Sequence, residues 1–197
     1  MKRSYETLPA GYTLLRRVDL AKNKRELLLV NGLSLLLFLI AFVPVLFAVS
    51  PAPLFRGEWW QTLVYLGFFL FGDLLYILLH EAIHGIFIRV FGGRPFFGFT
   101  GLYAYAGCKS YFARLPYLWI ALSPVVIWGA VLGVLCALSL LGILPYPLFW
   151  LFYLIECQNL SGAAGDFYVA FLFSRMPGDI LVLDDGVAMS VYAKEEE

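Results

Sequence analysis

The chain has 197 residues, of which 61% are hydrophobic and only 14% charged, and its formal net charge is zero. A soluble domain of this length does not need so apolar a composition, whereas a lipid bilayer requires long uncharged segments. The composition therefore argues against a soluble protein, and the lack of a concentrated basic surface argues against nucleic acid as a partner.

Four apolar segments are long enough to cross a bilayer, and stretches rich in proline or glycine separate them. They cover about residues 27–49, 61–90, 115–143 and 148–173. We therefore predict an all-α polytopic membrane protein with about four transmembrane helices and a small interfacial β element. The expected organisation is one membrane-embedded domain, 1–197, made of a cytoplasmic N-terminal segment (1–26), a transmembrane core (27–175) and a cytoplasmic tail (176–197).

The distribution of lysine and arginine predicts how these spans are oriented. Seven of the 14 basic residues lie in the first 25 residues and Arg56 alone follows the first span. Four more lie at the end of the second span or between it and the third. Because basic residues are retained on the cytoplasmic side, both termini should be cytoplasmic. We expect a multi-pass protein of the bacterial cell membrane.

The second span contains the motif His80-Glu81-Ala82-Ile83-His84, which includes both histidines of the chain. On a helix, positions i and i+4 lie about 40° apart around the axis and roughly 6 Å apart along it, so both imidazoles can reach one metal ion. Glu81 lies beside them, where it can accept a proton from a water that the metal activates. The alternative is that both histidines are ordinary packing residues.

Asp166 is the best candidate for a further metal ligand, because two histidines and a water leave a tetrahedral zinc ion one protein ligand short. His80 precedes Arg89 by nine residues and Asp166 precedes Arg175 by nine. Both should therefore lie roughly 13 Å from their cytoplasmic basic residues, at one depth in the bilayer. The alternative is an aspartate that faces water beside a close helix contact. The segment Leu183-Asp184-Asp185-Gly186, with Asp184 and Asp185, is a lower-ranked rival for Asp166.

Asn159 and Asp73 are candidates for residues that orient the metal ligands. Asn159 lies seven residues before Asp166, and Asp73 lies seven before His80, so each shares a helical face with the proposed ligand. Metal-bound histidines and carboxylates usually need such hydrogen-bonding partners. An ordinary interhelical hydrogen bond explains either residue equally well.

Residues 96–112 are rich in aromatic side chains and glycine, and Phe97, Phe99, Tyr103 and Tyr105 alternate as in a strand. An open strand edge beside the metal would hold a peptide extended, as a protease requires. We therefore assign Phe99, Gly101, Tyr103 and Tyr105 to a substrate-binding strand; the alternative is an aromatic belt that only anchors the protein. Residues 180–192 carry the pattern of a small hairpin near this segment.

The motif His80-Glu81-Ala82-Ile83-His84, followed two spans later by Asn159-Leu-Ser-Gly-Ala-Ala-Gly-Asp166, resembles the membrane-embedded zincin peptidases of the DUF3267 type. These are similar in plan to site-2 proteases, and the resemblance covers about residues 60–192. It implies that His80, His84 and Asp166 bind zinc and that Glu81 is the catalytic base. The chain lacks the asparagine-proline and PDZ-domain features that are usual in site-2 proteases.

The sequence therefore predicts an intramembrane zinc metalloprotease that hydrolyses membrane or membrane-adjacent protein substrates near the cytoplasmic face. Zn²⁺ is the expected cofactor, and a protein or peptide substrate and the lipid bilayer are the expected partners. The alternative is a non-enzymatic metal-binding or ion-transport membrane protein. A transporter usually shows repeated halves, and these four spans show no such symmetry.

Overall fold

Three long helices match the first three predicted spans. A computed structural model describes residues 4–101, 103–176 and 178–194; the two chain ends, for which the sequence predicts a cytoplasmic location, lie outside these ranges. Helix α1 covers Lys24–Ala48, α2 covers Trp59–Val90 and α3 covers Arg114–Leu140, with a short 3₁₀ helix at Ala52–Leu54. Each long helix is apolar and long enough to cross a membrane. Helices suit such segments because they satisfy every backbone polar group internally.

The predicted fourth span is not one helix. Helix α4 covers Pro147–Gly162 and α5 covers Ala164–Ser174. Between them, Ala163 has φ −75° and ψ 6°, outside the usual helical ψ range. Gly162 and Gly165 flank this point and have low helix propensity, so the helical ladder is easily interrupted here. Among the described residues, neither α4 nor α5 qualifies alone as a candidate span.

The prediction of an all-α protein is wrong, because the chain also forms two antiparallel sheets. The strands are β1 (Ser4–Tyr5), β2 (Tyr12–Val18), β3 (Pro95–Phe99), β4 (Ala104–Cys108), β5 (Tyr111–Ala113), β6 (Ile180–Asp184) and β7 (Met189–Lys194). Five of them form one sheet in the order β1-β5-β6-β7-β2, and β3 pairs with β4. The protein is therefore of mixed α/β class, with three candidate membrane spans.

Long-range pairing explains why the larger sheet was not predicted. Strand β2 runs antiparallel to β7, from the pair Tyr12 and Lys194 to the pair Val18 and Met189, and β1 pairs with β5. Local periodicity identifies strands but not partners this distant in sequence. The predicted strand character of 96–112 and the hairpin of residues 180–192 are confirmed by β3, β4 and the pairing of β6 with β7.

The chain divides into two compact units, and the single-domain interpretation stays a prediction. The first unit comprises the described parts of Met1–Val30, His80–Pro124 and Gly165–Glu197, and it contains both sheets. Its core joins side chains of the larger sheet, such as Phe112, Val182 and Val191, to helical residues such as Ile88 and Phe173. This packing holds the last turns of α2 and the first turns of α3 against strands.

The second unit, Asn31–Leu79 and Val125–Ala164, is entirely helical apart from its connecting turns. Tyr76, Leu132 and Ile155 form one buried cluster in it. The Tyr153 hydroxyl donates a hydrogen bond to the Ala41 carbonyl at 2.7 Å, and the Trp150 indole donates one to the Ser50 carbonyl at 3.1 Å. Helix α4 is thus tied to the C-terminal half of α1 and the turn after it.

Candidate metal centre

The histidines and the glutamate of the motif form one group near the C-terminal end of α2. One metal-binding atom from each of His80, Glu81 and His84 lies within 4.8 Å of the others. The two imidazole rings are 5.0 Å apart between centroids and inclined at 73°. The helical spacing of four residues produces this arrangement, because it places both rings on the same face. Imidazoles are ligands that suit zinc, and a carboxylate beside them can accept a proton from a metal-bound water.

A backbone carbonyl on α3 fixes the protonation pattern of His84. The Nδ1 atom of His84 lies 2.8 Å from the carbonyl oxygen of Ile120. Since a carbonyl only accepts hydrogen bonds, Nδ1 carries the proton, and in the neutral ring Nε2 then has a free lone pair. Metal-bound histidines are commonly oriented in this way by a backbone carbonyl. In this tautomer Nε2 is the ring atom of His84 that could bind a metal.

Asp166 lies in the first turn of α5, in the same unit as the motif. Its carboxylate is close enough to Glu81 to interact with it electrostatically, and it also interacts with Asp184. It lies outside the compact group of His80, Glu81 and His84. Among the described residues, no donor forms a hydrogen bond with the Asp166 side chain, so its oxygens are available.

Asp184, the lower-ranked rival, ends strand β6 and has both carboxylate oxygens engaged. Oδ1 accepts the backbone N–H of Gly186 at 2.8 Å, and Oδ2 accepts the hydroxyl of Tyr117. Burial raises the pKa of the Asp184 carboxyl, although the hydrogen bonds from Tyr117 and Gly186 oppose this rise. Asp184 also interacts electrostatically with His84. The structure thus brings two aspartates to the vicinity of the motif, in different bonding states.

The β3–β4 hairpin lies directly against helix α2, which carries the motif. Any side chain at Gly85, the residue after His84, would come within 2.5 Å of the Phe97 ring on β3. On β4, the backbone N–H of Ala106 interacts with the Glu81 carboxylate. A glycine at position 85 therefore permits the close approach that brings strand backbone to Glu81.

The hairpin has a defined set of outward N–H groups. The Thr100 N–H donates to the Tyr103 carbonyl at 3.0 Å, so this pair is hydrogen-bonded, and the Gly98 and Tyr105 pair follows the same alternation. The N–H groups of Phe99 and Ala104, which oppose each other between these pairs, therefore point to the two open edges.

The four residues assigned to a substrate-binding strand are distributed over this hairpin. Phe99 and Tyr105 lie on β3 and β4, whereas Gly101 and Tyr103 lie in the turn, where Gly101 has φ +90°. Phe99 is 71% exposed. The Tyr105 ring occupies the space that a side chain at Gly98 or Gly186 would need, so it packs within the protein.

The two candidates for orienting residues belong to the second unit. Asn159 is fully buried; its amide donates to the Val125 carbonyl at 3.1 Å and to Glu156 at 3.2 Å, and its oxygen accepts the Tyr76 hydroxyl at 3.3 Å. Asp73 interacts with the side chain of Gln158. These contacts are interhelical or local hydrogen bonds within that unit, and a role of either residue toward the metal stays a prediction.

Sequence reasoning did not identify Ile120, Ala106 or Tyr117 as parts of this region. The first two act through backbone groups, which leave no mark on residue type. A signal for Ile120 does exist, since Pro124 four residues later cannot supply the N–H that a helical carbonyl at 120 would accept. Tyr117 carried no sequence signal that separates it from the other aromatic residues of the third span.

Comparison with known proteins agrees with this donor set. The family model DUF3267, described as "Putative zincin peptidase", matches residues 74–181, which is more than half of the chain. A Pyrococcus woesei protein described as an "Uncharacterized 24.7 kDa protein in gap 5'region" is 24% identical over 129 residues, which cover 63% of this chain and 54% of the relative. The chain thus spans about half the length of that curated relative. No solved structure matches this chain. On the family match, the chain belongs to the DUF3267 family.

Proposed function

We propose that this protein is an intramembrane zinc metallopeptidase that hydrolyses membrane or membrane-adjacent proteins near the cytoplasmic face. The observation that carries the proposal is the group of His80, Glu81 and His84, with metal-binding atoms within 4.8 Å, on a helix apolar and long enough to span a membrane. Family membership supports a metallopeptidase, and the zincin description implies zinc.

In this proposal His80, His84 and Asp166 would hold the metal. His84 would bind it through Nε2, because its Nδ1 proton is directed at Ile120. Asp166 is preferred to Asp184 as the third ligand because both oxygens of Asp184 already accept hydrogen bonds. Asp166 lies outside the compact group of the motif but interacts electrostatically with Glu81, and this supports its assignment as the third ligand.

The chemistry is hydrolysis of a peptide bond. Zinc, when bound, supplies Lewis acidity that polarises the scissile carbonyl and makes water a better nucleophile near neutral pH. Glu81 accepts the proton of the attacking water and then donates it to the departing amine, as a general base followed by a general acid. The Ala106 N–H beside Glu81 keeps its carboxylate oriented and places strand backbone next to the reacting bond.

The β3–β4 hairpin is the proposed substrate-binding element. A peptide that adds to the β4 edge would pair with outward N–H groups such as that of Ala104 and would be held extended beside Glu81. Extension matters because a helical peptide keeps its amide bonds engaged internally. Phe99 and Tyr103, on the exposed side of the hairpin, supply contacts to substrate side chains or lipid.

The test is to compare zinc content and proteolysis in purified, reconstituted variants. Glu81→Gln should retain about one zinc per chain and lose cleavage, because the glutamate is a base and not a ligand. His80→Ala and His84→Ala should lose both. Glu156→Gln is the matched control, since it makes the same change at another glutamate in a helix, outside the metal group.

Cleavage can be followed without a known substrate. Membrane proteins from the expression host are incubated with proteoliposomes that contain each variant, and new N-termini are identified by chemical labelling and mass spectrometry. New termini in the wild-type and Glu156→Gln samples alone support the proposal. Zinc retention with no termini in any sample would favour the non-enzymatic metal-binding alternative, and equal cleavage by Glu81→Gln would refute the mechanism.

A further inference from the structure

The carbonyl that binds His84 is available because of a proline in the next helix. In an α-helix the carbonyl of residue i accepts the N–H of residue i+4, which for Ile120 is residue 124. Pro124 lies inside α3 and has no N–H. Its ring also clashes with the carbonyl of residue i−4 and turns it from the helix axis. Ile120 is only 5% exposed, so its carbonyl needs another donor.

Two side chains take the place of the missing donor. His84 Nδ1 lies 2.8 Å from the Ile120 oxygen, and the Ser123 hydroxyl donates to the same oxygen at 3.3 Å. A carbonyl oxygen has two lone pairs, so these contacts occupy both. An N–H regained at position 124 would therefore compete with the two side chains for the same oxygen.

We propose that Pro124 is a positioning residue for the metal site. By removing the helical donor to Ile120, it reserves that carbonyl for His84 and selects the ring orientation and tautomer in which Nε2 faces the metal. Pro124 is itself fully buried and carries no group that could bind a metal or a substrate. It therefore acts only through Ile120 and His84. The part of this inference that concerns the metal rests on the proposed function, whereas the tautomer does not.

The chain offers a matched control for removing a helical proline. Pro44 lies inside α1, in the second unit, and both histidines belong to the first unit. Pro44→Ala restores an N–H in an apolar helix as Pro124→Ala does, but at a position outside the unit that contains both histidines. A change in the His84 tautomer seen only in Pro124→Ala is then not a general effect of removing a helical proline.

Nitrogen NMR of the metal-free protein provides the readout. The 197-residue chain has two histidines, so labelling with ¹⁵N-histidine yields four ring-nitrogen signals, and a His80→Asn variant assigns them. In the wild type at a pH where the rings are neutral, we expect His84 to be protonated at Nδ1 alone. In Pro124→Ala we expect a mixture of tautomers, with zinc affinity lower by about 10–100-fold, the usual loss for a partner that orients a ligand. Pro44→Ala should change neither.

Two results would overturn the inference. One is a wild-type spectrum in which His84 carries its proton on Nε2, which needs no variant and is independent of folding defects. The other is a folded Pro124→Ala protein with the wild-type tautomer and zinc affinity. If the tautomers behave as expected but the wild type binds no zinc, the proposed function fails and the link between Pro124 and His84 stands.

Discussion

Replacing Asp184 by alanine should lower the free energy of unfolding markedly but should change the affinity for zinc little. Asp184 accepts hydrogen bonds from the Tyr117 hydroxyl and from the Gly186 N–H, and Tyr117 is only 6% exposed. Loss of the carboxylate leaves a buried hydroxyl without its acceptor. An unsatisfied buried group of this kind costs about 1–3 kcal/mol, so the free energy of unfolding should fall by about that amount.

Asp166→Ala should show the opposite pattern. No donor among the described residues bonds to the Asp166 carboxylate, and that group lies near the like charge of Asp184. Its removal should therefore leave the stability of the metal-free protein unchanged or slightly higher. A residue that only orients ligands costs about 10–100-fold in metal affinity when it is removed. If Asp166 is the third ligand, its loss should lower the zinc affinity by more than that.

Both quantities can be measured on the same purified samples. Unfolding of metal-free protein in mixed micelles gives the stability, and competition with a chromogenic chelator gives the zinc affinity. Tyr117→Phe removes the donor of the same hydrogen bond, so its effect should not add to that of Asp184→Ala in the double variant. If Asp184→Ala lost zinc and Asp166→Ala kept it, the third ligand would be in the tail and our assignment would be wrong.

Three further predictions concern the hairpin and the membrane topology. Gly107→Ala should lower the free energy of unfolding by about 1–3 kcal/mol, because the new Cβ would lie 2.6 Å from the backbone oxygen of Asp185. In unfolding curves the control Gly67→Ala should show no such loss, because a Cβ at Gly67 meets no atom within 4 Å. Ala104→Pro should reduce cleavage at normal zinc content because it removes an outward N–H, whereas the control Ala104→Ser should not and Tyr105→Ala should reduce cleavage less. Full activity of the proline variant would exclude strand pairing. When an impermeant thiol reagent is added outside cells, Arg56→Cys should react and Arg94→Cys should not, and the three buried native cysteines should give a low background. Labelling of Arg94→Cys but not Arg56→Cys would invert the topology.

The sequence was informative wherever the determining interactions are local. Uncharged length predicted α1, α2 and α3, and the spacing of His80 and His84 predicted a shared helical face. Alternating aromatic residues predicted strand character in residues 96–112, which β3 and β4 confirm. In each case a period of 2 or 3.6 residues along the chain carries the structural signal.

The parts that were missed depend on distant partners or on backbone groups. The pairing of β2 with β7 joins residues near opposite ends of the chain, so the five-stranded sheet and the mixed α/β class were not predicted. The break at Ala163 was not predicted, because alanine itself favours helix. The Ile120 carbonyl and the Ala106 N–H are backbone groups, which only the three-dimensional arrangement brings to the motif.

The central claim, that Glu81 directs water onto a peptide bond, is tested most directly by isotope incorporation. Proteoliposomes containing wild-type protein or Glu81→Gln are incubated with membrane proteins in H₂¹⁸O, and the new C-termini are analysed by mass spectrometry. Hydrolysis forms each new carboxylate with one oxygen from water, so the wild type should yield C-termini that carry ¹⁸O while Glu81→Gln yields none at equal zinc content. Labelled C-termini at the same rate from Glu81→Gln, or none from zinc-loaded wild type, would contradict the account.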